Sequence, residues 1–190
     1  MTFMDAWLCT RWDDLSRRAE PFHAITEYLE SLDRPVTIIE TGCLRQEGNW
    51  GGDGQSTVVW DRFVQHVGGK VYSVDLDPHA AALAHSITSD QTTVESNDSV
   101  AWLMHMAPLG LVADLLYLDS YDIDWENPQP SMEHHLAELT AAEPMLRPGS
   151  VVAVDDNQPD VGKGYLVGKR AERYGWEVLH DGYVRVWIVR

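Results

Sequence analysis

Hydrophobic residues along this chain fall into short β-branched runs and longer segments with helical spacing. The first run, residues 36–39, has no charged position, which is typical of a strand buried on both faces of a parallel sheet. A glycine-rich loop follows, and the apolar positions from Val58 to Val67 then recur on one helix face. The pattern predicts a strand, a glycine loop and a helix, the unit that forms ligand crevices in open α/β sheets.

The same alternation continues to the end of the chain. Further strands are predicted at 70–74, 92–95, 113–118 and 150–154, and helices from 78 to about 86, through 102–106, from 134 to about 145 and near 163–174. Asp181-Gly182 lies between two β-rich runs and indicates a hairpin. These elements predict an α/β fold: a single doubly wound Rossmann-like sheet, mostly parallel, with a C-terminal antiparallel hairpin whose last strand inserts between its neighbours.

Residues 1–34 precede the first predicted strand and have the apolar spacing of helices. Pro21 lies between two apolar stretches, so we predict two helices that meet at this proline. We expect residues 1–34 to form a helical leader that caps the sheet or lines a substrate pocket, and residues 35–190 to form the Rossmann-like domain. The leader is also a candidate contact in a homodimer.

The formal net charge is −16, from 30 acidic and 14 basic residues. A field of this sign repels phosphates, so neither nucleic acid nor an anionic membrane is an expected partner. A neutral or cationic small molecule, or a metal ion, is compatible with it. The sequence has no recognisable secretory signal and no apolar stretch of membrane-spanning length, so a cytoplasmic location is expected.

Acidic side chains follow the predicted strands at the points where the strands end. They are Glu40, Asp75, Asp119 and Asp155-Asp156, with Asn97-Asp98 just after the third strand. Because the carboxyl ends of parallel strands meet at one edge of a sheet, we expect these side chains to converge there.

Asp75, at the end of the second strand, is suited to accept hydrogen bonds from both hydroxyls of a ribose. The first loop lacks the G-x-G-x-x-G sequence that cradles a pyrophosphate. This absence argues against NAD or FAD and favours a nucleoside ligand with a zwitterionic tail.

With these features the chain resembles the class I S-adenosylmethionine-dependent methyltransferases. Glu40-Thr41-Gly42 resembles the first motif of that family, and Gly54-Gln55-Ser56-Thr57 resembles its completion after an insertion from Gln46 to Asp53. The resemblance implies that Gly42 approaches the methionine part of the cofactor and that Asp75 holds the ribose. It also implies that Asn97 and Asp98 flank the adenine. The residues that we therefore expect to bind the cofactor are Glu40, Thr41, Gly42, Ser56, Asp75, Asn97, Asp98 and Asp119.

Tyr117-Leu118-Asp119 and Ala153-Val154-Asp155-Asp156 resemble the metal-dependent O-methyltransferases that act on catechols and macrolide sugars. This resemblance implies that Asp119, Asp155 and Asp156 bind one Mg²⁺, for which hard oxygen ligands are suitable. In an alternative register Asp156 and Asn157 supply the second pair of ligands. A bound metal would lower the pKa of an acceptor hydroxyl.

Two residues are candidates for the general base. The related enzymes carry a base three residues after the first metal aspartate, often Lys or His, and Asp122 takes that place here. An aspartate of ordinary pKa is a weak base for an alcohol. His135, with His134 beside it, is the other candidate.

The sequence thus predicts an S-adenosylmethionine- and Mg²⁺-dependent O-methyltransferase for a hydroxyl-bearing small molecule. One alternative is a metal-independent methyltransferase that acts on oxygen, nitrogen or a carboxylate. Another is a non-catalytic module that binds S-adenosylmethionine.

Overall fold

The computed structural model describes residues 1–52 and 55–190. In these ranges the α-helices are α1 Phe3–Ala6, α2 Trp12–Leu15, α3 Ala19–Glu30, α4 Ser56–Val67, α5 Pro78–Ile87, α6 Ser99–Met106, α7 Gln129–Ala142 and α8 Tyr165–Tyr174. The strands are β1 Val36–Thr41, β2 Gly69–Asp75, β3 Thr92–Ser96, β4 Leu115–Leu118, β5 Val151–Val154, β6 Asn157–Gln158, β7 Val161–Gly162, β8 Glu177–His180 and β9 Arg185–Ile188. Short 3₁₀ turns cover Leu8–Arg11, Ser16–Arg18, Ala107–Leu109 and Glu143–Met145.

Seven strands form one sheet in the order β3-β2-β1-β4-β5-β9-β8. Strands β1 to β5 pair in parallel, whereas β9 runs antiparallel to both β5 and β8. The predicted α/β fold and its terminal antiparallel hairpin are thereby confirmed. The chain order of the strands reverses between β1 and β4, and open α/β sheets bind ligands at this switch point.

Both faces of the sheet are covered, as the unbroken apolar strands predict. Ile38 and Tyr117 pack with the leader and α4 on one face, where the rings of Phe22, Trp60 and Tyr117 lie 4.9–5.7 Å apart. Residues such as Ile39 pack against α6, α7 and α8 on the other face. The leader therefore belongs to the same hydrophobic core as the sheet.

The prediction that Pro21 separates two leader helices is wrong. Pro21 lies in the first turn of α3, which begins at Ala19. Proline is accepted there because the first backbone N–H groups of a helix have no partner within the helix. The chain turns instead at Ser16, whose φ is +51°.

Several other bounds differ by one to five residues from the sequence prediction. Strand β1 continues to Thr41, and α7 begins at Gln129 instead of His134. Within the described ranges, no helix has the length and apolarity that a membrane crossing requires.

Candidate active site

The ends of β1, β2, β4 and β5 lie level with one another. Thr41 pairs with Val74 on one side and with Leu118 on the other, and Leu118 pairs with Val154. The residues that follow these strands therefore meet at one edge of the sheet. A cavity of about 380 Å³ lies there, lined by Gly42, Cys43, Arg45, Asp75, Leu76, Asp77, Asp119 and Ser120. A larger groove of about 800 Å³ is apolar and is formed by α6, α7 and the turns that follow them.

Gly42 is required by the close approach of two loops. Its φ is +79°, and a Cβ atom at this position would lie 2.5 Å from the carbonyl oxygen of Asp119. A side chain would therefore force apart the backbone segments that follow β1 and β4. The glycine keeps these segments in contact beneath the cavity.

Asp75 has hydrogen-bonding capacity left for a ligand. Its Oδ2 accepts from the backbone N–H of Cys43 at 2.9 Å, and its Oδ1 accepts from the N–H of Asp77 at 2.8 Å. A carboxylate has about four lone-pair sites, so these two backbone donors leave capacity for a further donor in the cavity.

Asn97 and Asp98 are exposed beside the end of β2. The N–H of Asn97 donates to the carbonyl of Asp75 at 2.9 Å. The carboxylate of Asp98 accepts from the N–H of Ala101 at 2.8 Å and caps α6. Both residues adjoin the strand end that carries Asp75.

Glu40 points inward instead of lining the cavity. Its fully buried carboxylate accepts hydrogen bonds from Ser56 Oγ at 2.6 Å, Thr57 Oγ1 at 2.7 Å and Ser73 Oγ at 2.6 Å. These bonds fasten the start of α4 and strand β2 to β1. The hydroxyl of Ser56, a predicted cofactor ligand, is therefore engaged by Glu40. The buried hydroxyl of Thr41 has no hydrogen-bond partner among the residues that the structure describes.

Glu40→Gln is expected to remove a pH-dependent loss of stability. Burial raises the pKa of Glu40 to about 7 against the three hydroxyl donors, compared with an ordinary value of 4.5. An acid with a raised pKa in the folded state contributes stability that is present below its unfolded pKa and is lost as the pH rises through its folded pKa. As the pH rises from about 4.5 to about 7, the melting temperature of the wild type should fall relative to that of Glu40→Gln.

Glu95→Gln is the matched control, because Glu95 is exposed on β3. The quantity to follow is the melting temperature of the wild type minus that of Glu40→Gln. If this difference does not change with pH, the assignment to Glu40 is contradicted.

Lysine 163 lies between two of the strand-end carboxylates. Its Nζ is 2.5 Å from Asp119 Oδ1 and 2.9 Å from Asp156 Oδ2, and its side chain is 1% exposed. Burial opposes the ammonium charge, but Asp119 and Asp156 outweigh it and raise the pKa of Lys163. The lysine is therefore held as a cation.

Asp155, which is 0% exposed, is satisfied by other groups. Its Oδ2 accepts from Arg18 Nε at 2.6 Å and from Tyr117 Oη at 2.7 Å, and its Oδ1 accepts from the N–H of Asp156 at 2.7 Å. Arg18 Nη2 also lies 3.7 Å from Asp156 Oδ1, to which Tyr183 donates a short hydrogen bond.

This arrangement does not fit the predicted magnesium site. Both oxygens of Asp155 and of Asp156, and Oδ1 of Asp119, accept from N–H and O–H donors, chiefly from Lys163 and Arg18. Over residues 1–52 and 55–190, no group of three His, Cys, Asp or Glu side chains is placed to hold a metal ion.

The alternative register fits no better, because both ends of the Asn157 amide are occupied. Its Nδ2 donates to the carbonyl of Val154 at 2.8 Å, and its Oδ1 accepts from the N–H of Gly164 at 2.8 Å.

Three carboxylates face two cations in this cluster, which leaves one negative charge. Asp119 is the member that also lines the cavity. Burial raises the pKa of Asp119 to about 8; Lys163 opposes this shift, and Asp155 and Asp156 add to it. A proton taken up by the cluster therefore resides on Asp119, at the cavity wall.

The two predicted bases lie in different surroundings. His135 is 0% exposed, and its Nδ1 is 2.7 Å from the carbonyl of Ser131. Burial lowers the pKa of His135 to about 4. This placement argues against a direct proton transfer from an acceptor to His135. Asp122 is exposed on the loop after β4 and forms an ion pair with Arg45 at 2.8 Å.

His134 connects the cavity wall to a buried carboxylate. Its Nε2 lies 3.1 Å from Ser120 Oγ, 3.2 Å from Ser99 Oγ and 3.3 Å from Glu138 Oε1. The hydrogen bond with Glu138 raises the pKa of His134. The network fixes the position of the Ser120 hydroxyl, and Ser120 lines the cavity.

Sequence reasoning missed Arg18, Lys163, Tyr117 and Tyr183 as members of the site. Lys163 lies between Gly162 and Gly164 soon after the aspartate pair, which is the one local signal that was available. Arg18 lies in the leader and comes to Asp155 only through the fold.

Comparisons with known proteins agree with the fold. A family model described as a methyltransferase domain matches residues 50–157. Two residues of this match lie outside the described ranges: Asp53, which ends the predicted insertion, and Gly54, which begins the predicted completion of the first motif. None of the curated proteins matches the chain.

Several solved structures are similar at low sequence identity. MycE Methyltransferase from the Mycinamycin Biosynthetic Pathway, in complex with Mg, SAH and Mycinamycin VI, has a TM-score of 0.61 at 15% identity, over 87% of this chain and 48% of that one. The O-methyltransferase NovP has a TM-score of 0.61 at 13% identity, over 91% and 79% of the two chains. CalS11, Calicheamicin Methyltransferase, has a TM-score of 0.60 at 14% identity, over 89% and 78%.

This chain spans about half the length of the MycE chain. At these identities the likeness shows a shared class I methyltransferase fold. The family model is matched by more than half of the chain. With its sheet order and its strand-end carboxylates, the chain belongs to the methyltransferase-domain family.

Proposed function

We propose that this protein transfers a methyl group from S-adenosylmethionine to a hydroxyl of a small molecule. The observation that carries the proposal is one cavity at the switch point of the sheet with two carboxylate walls, Asp75 and Asp119. When bound, S-adenosylmethionine supplies a methyl group on a positively charged sulfur that leaves as a neutral thioether.

The residues of the cavity match the chemistry of this cofactor. Asp75 lines the cavity and has remaining acceptor capacity for the hydroxyls of a ribose. Asn97 and Asp98 adjoin it and are available to the adenine. In its ionised form Asp119 complements a sulfonium cation, and the volume of about 380 Å³ lies in the range of ligand pockets.

Asp119 is also the base that we favour for the acceptor hydroxyl. Its Oδ1 is bound to Lys163, which leaves Oδ2 to take up a proton at the cavity. A base is most effective when its pKa lies near the working pH, and the pKa of Asp119 is raised to about 8. Asp122, exposed on the following loop, is the second candidate.

The choice of a hydroxyl acceptor is supported by the neighbours. CalS11 is described as a TDP-rhamnose 3'-o-methyltransferase and NovP as an O-methyltransferase. Exposed aromatic side chains on the loop after β4, Tyr121 and Trp125, offer flat apolar surfaces for a sugar or a phenol. The carboxyl groups of Asp75 and Asp119 would also attract an amine, so an N-methyltransferase is the second candidate.

Calorimetry with S-adenosylmethionine and S-adenosylhomocysteine tests the cofactor. We expect one site per chain with micromolar affinity. Product analysis after incubation with nucleotide sugars, catechols and primary amines then separates the acceptor classes. Binding without any methylated product would favour a non-catalytic module, and absence of binding would reject the proposal.

A further inference from the structure

Lys163 is held in place by the backbone around it. Its N–H donates to the carbonyl of Asp156 at 3.2 Å, and β7, which precedes it, pairs with β6. A Cβ atom at Gly162 would lie 2.6 Å from Asn157 Cα, and one at Gly164 would lie 2.8 Å from Asn157 Oδ1. The two glycines therefore let the segment that carries Lys163 lie against the loop after β5.

The ammonium of Lys163 lies among the oxygens that the family resemblance implied for a metal. It bridges Asp119 and Asp156, and Arg18, which is 5% exposed, neutralises Asp155. Mg²⁺ requires near-octahedral oxygen ligands at about 2.0–2.1 Å. One oxygen of each of the three carboxylates already accepts from Lys163 or Arg18, and a divalent ion among them would also be repelled by both cations.

We propose that Lys163 is the resident cation of this site and makes it independent of a divalent metal. Its ammonium stands between Asp119 and Asp156 and positions the Asp119 carboxylate at the cavity wall. The inference rests on the proposed function only for the consequence in catalysis. The claim that the site does not bind a divalent metal does not depend on the proposed function.

Titration of the wild-type protein with Mg²⁺ and Mn²⁺ gives the first test. We expect no saturable binding below millimolar concentrations by calorimetry, no protein-bound Mn²⁺ signal in electron paramagnetic resonance, and no shift in melting temperature. Methyl transfer, once detected, should be unchanged in EDTA. One-to-one metal binding that is lost in Asp156→Asn, or loss of activity in EDTA, would overturn the inference.

Lys163→Ala gives the second test, because it leaves the carboxylates without the ammonium. We expect this variant to melt at a lower temperature than the wild type and to gain Mn²⁺ binding. In millimolar Mg²⁺ its melting temperature should rise by about 3 °C or more over its value without metal. Lys163→Arg, which keeps the charge, should gain no metal response. Lys169→Ala is the matched control, since Lys169 lies exposed on α8.

A folded Lys163→Ala protein without any response to Mg²⁺ or Mn²⁺ would contradict the position assigned to Lys163. If the variant does not fold, the wild-type titration decides the question. Failure to bind S-adenosylhomocysteine would reject the proposed function and leave the metal titrations interpretable, so the two failures are distinguishable.

Discussion

Arg18→Ala is expected to lower the free energy of unfolding by about 3–5 kcal/mol, because it leaves a buried carboxylate without its cation. Arg18 Nε donates to Asp155 Oδ2 at 2.6 Å, and the side chains are 6% and 0% exposed. Tyr117 would remain as a neutral donor to Asp155. Urea denaturation followed by circular dichroism measures the difference directly.

Arg17→Ala provides the control beside it in the chain. Arg17 is exposed, and its guanidinium lies 3.9 Å from the ring centroid of Tyr183. Loss of that contact is expected to cost about 0.5–1 kcal/mol. Equal losses in the two variants would show that Asp155 does not depend on Arg18.

A double substitution sharpens the interpretation. Arg18→Met combined with Asp155→Leu removes both charges and keeps apolar volume. Such replacements of buried ion pairs are often neutral or stabilising. We therefore expect the double variant to be more stable than Arg18→Ala. If it is as unstable, the loss in Arg18→Ala comes from packing instead of the unpaired charge.

Asp75→Ala is expected to weaken the binding of S-adenosylhomocysteine about 100-fold or more, because hydrogen bonds to a charged group are worth about 1.5–3 kcal/mol each and every 1.4 kcal/mol is tenfold in affinity. Asp75 lines the cavity, and the bonds from the N–H groups of Cys43 and Asp77 leave its carboxylate capacity for a ligand. Calorimetry on both proteins gives the ratio of dissociation constants.

Asp90→Asn is the matched control for this measurement. Asp90 is exposed just before β3, at the opposite end of the strands. Its substitution removes one negative charge without touching the cavity, so affinity should stay within about twofold of the wild type. An Asp75→Ala protein that folds and binds S-adenosylhomocysteine as the wild type does would remove Asp75 from the cofactor site.

The parallel direction of the central strands follows from features that are local in the sequence. The β-branched runs at 36–39 and 151–154 are unbroken because both faces of a parallel strand are buried, and helices between them require the strands to run in parallel. Local signals were weaker at boundaries. By sequence, Pro21 could either break a helix or lie in the first turn of one. In the structure it lies in the first turn of α3, which packs on the sheet.

The sequence predicted where the acidic side chains of the site lie, but not which side chains neutralise them. That Asp75, Asp119 and Asp155 meet at one edge follows from strand polarity, which the sequence determines through its alternation of strands and helices. A carboxylate attracts a metal ion, a lysine or an arginine alike, so the acidic pattern does not specify its counter-ion.

The sequence by itself determined the sheet, its carboxyl edge and the acidic character of that edge. Only the tertiary structure decided what neutralises the acids. Arg18 reaches Asp155 across 137 residues, and Lys163 reaches Asp119 across 44. Such pairs depend on how the leader and the β6–β7 turn pack, and no periodicity along the chain records them. For that reason the acids that the resemblance implied as metal ligands could not be seen from the sequence to lie beside Lys163 and Arg18.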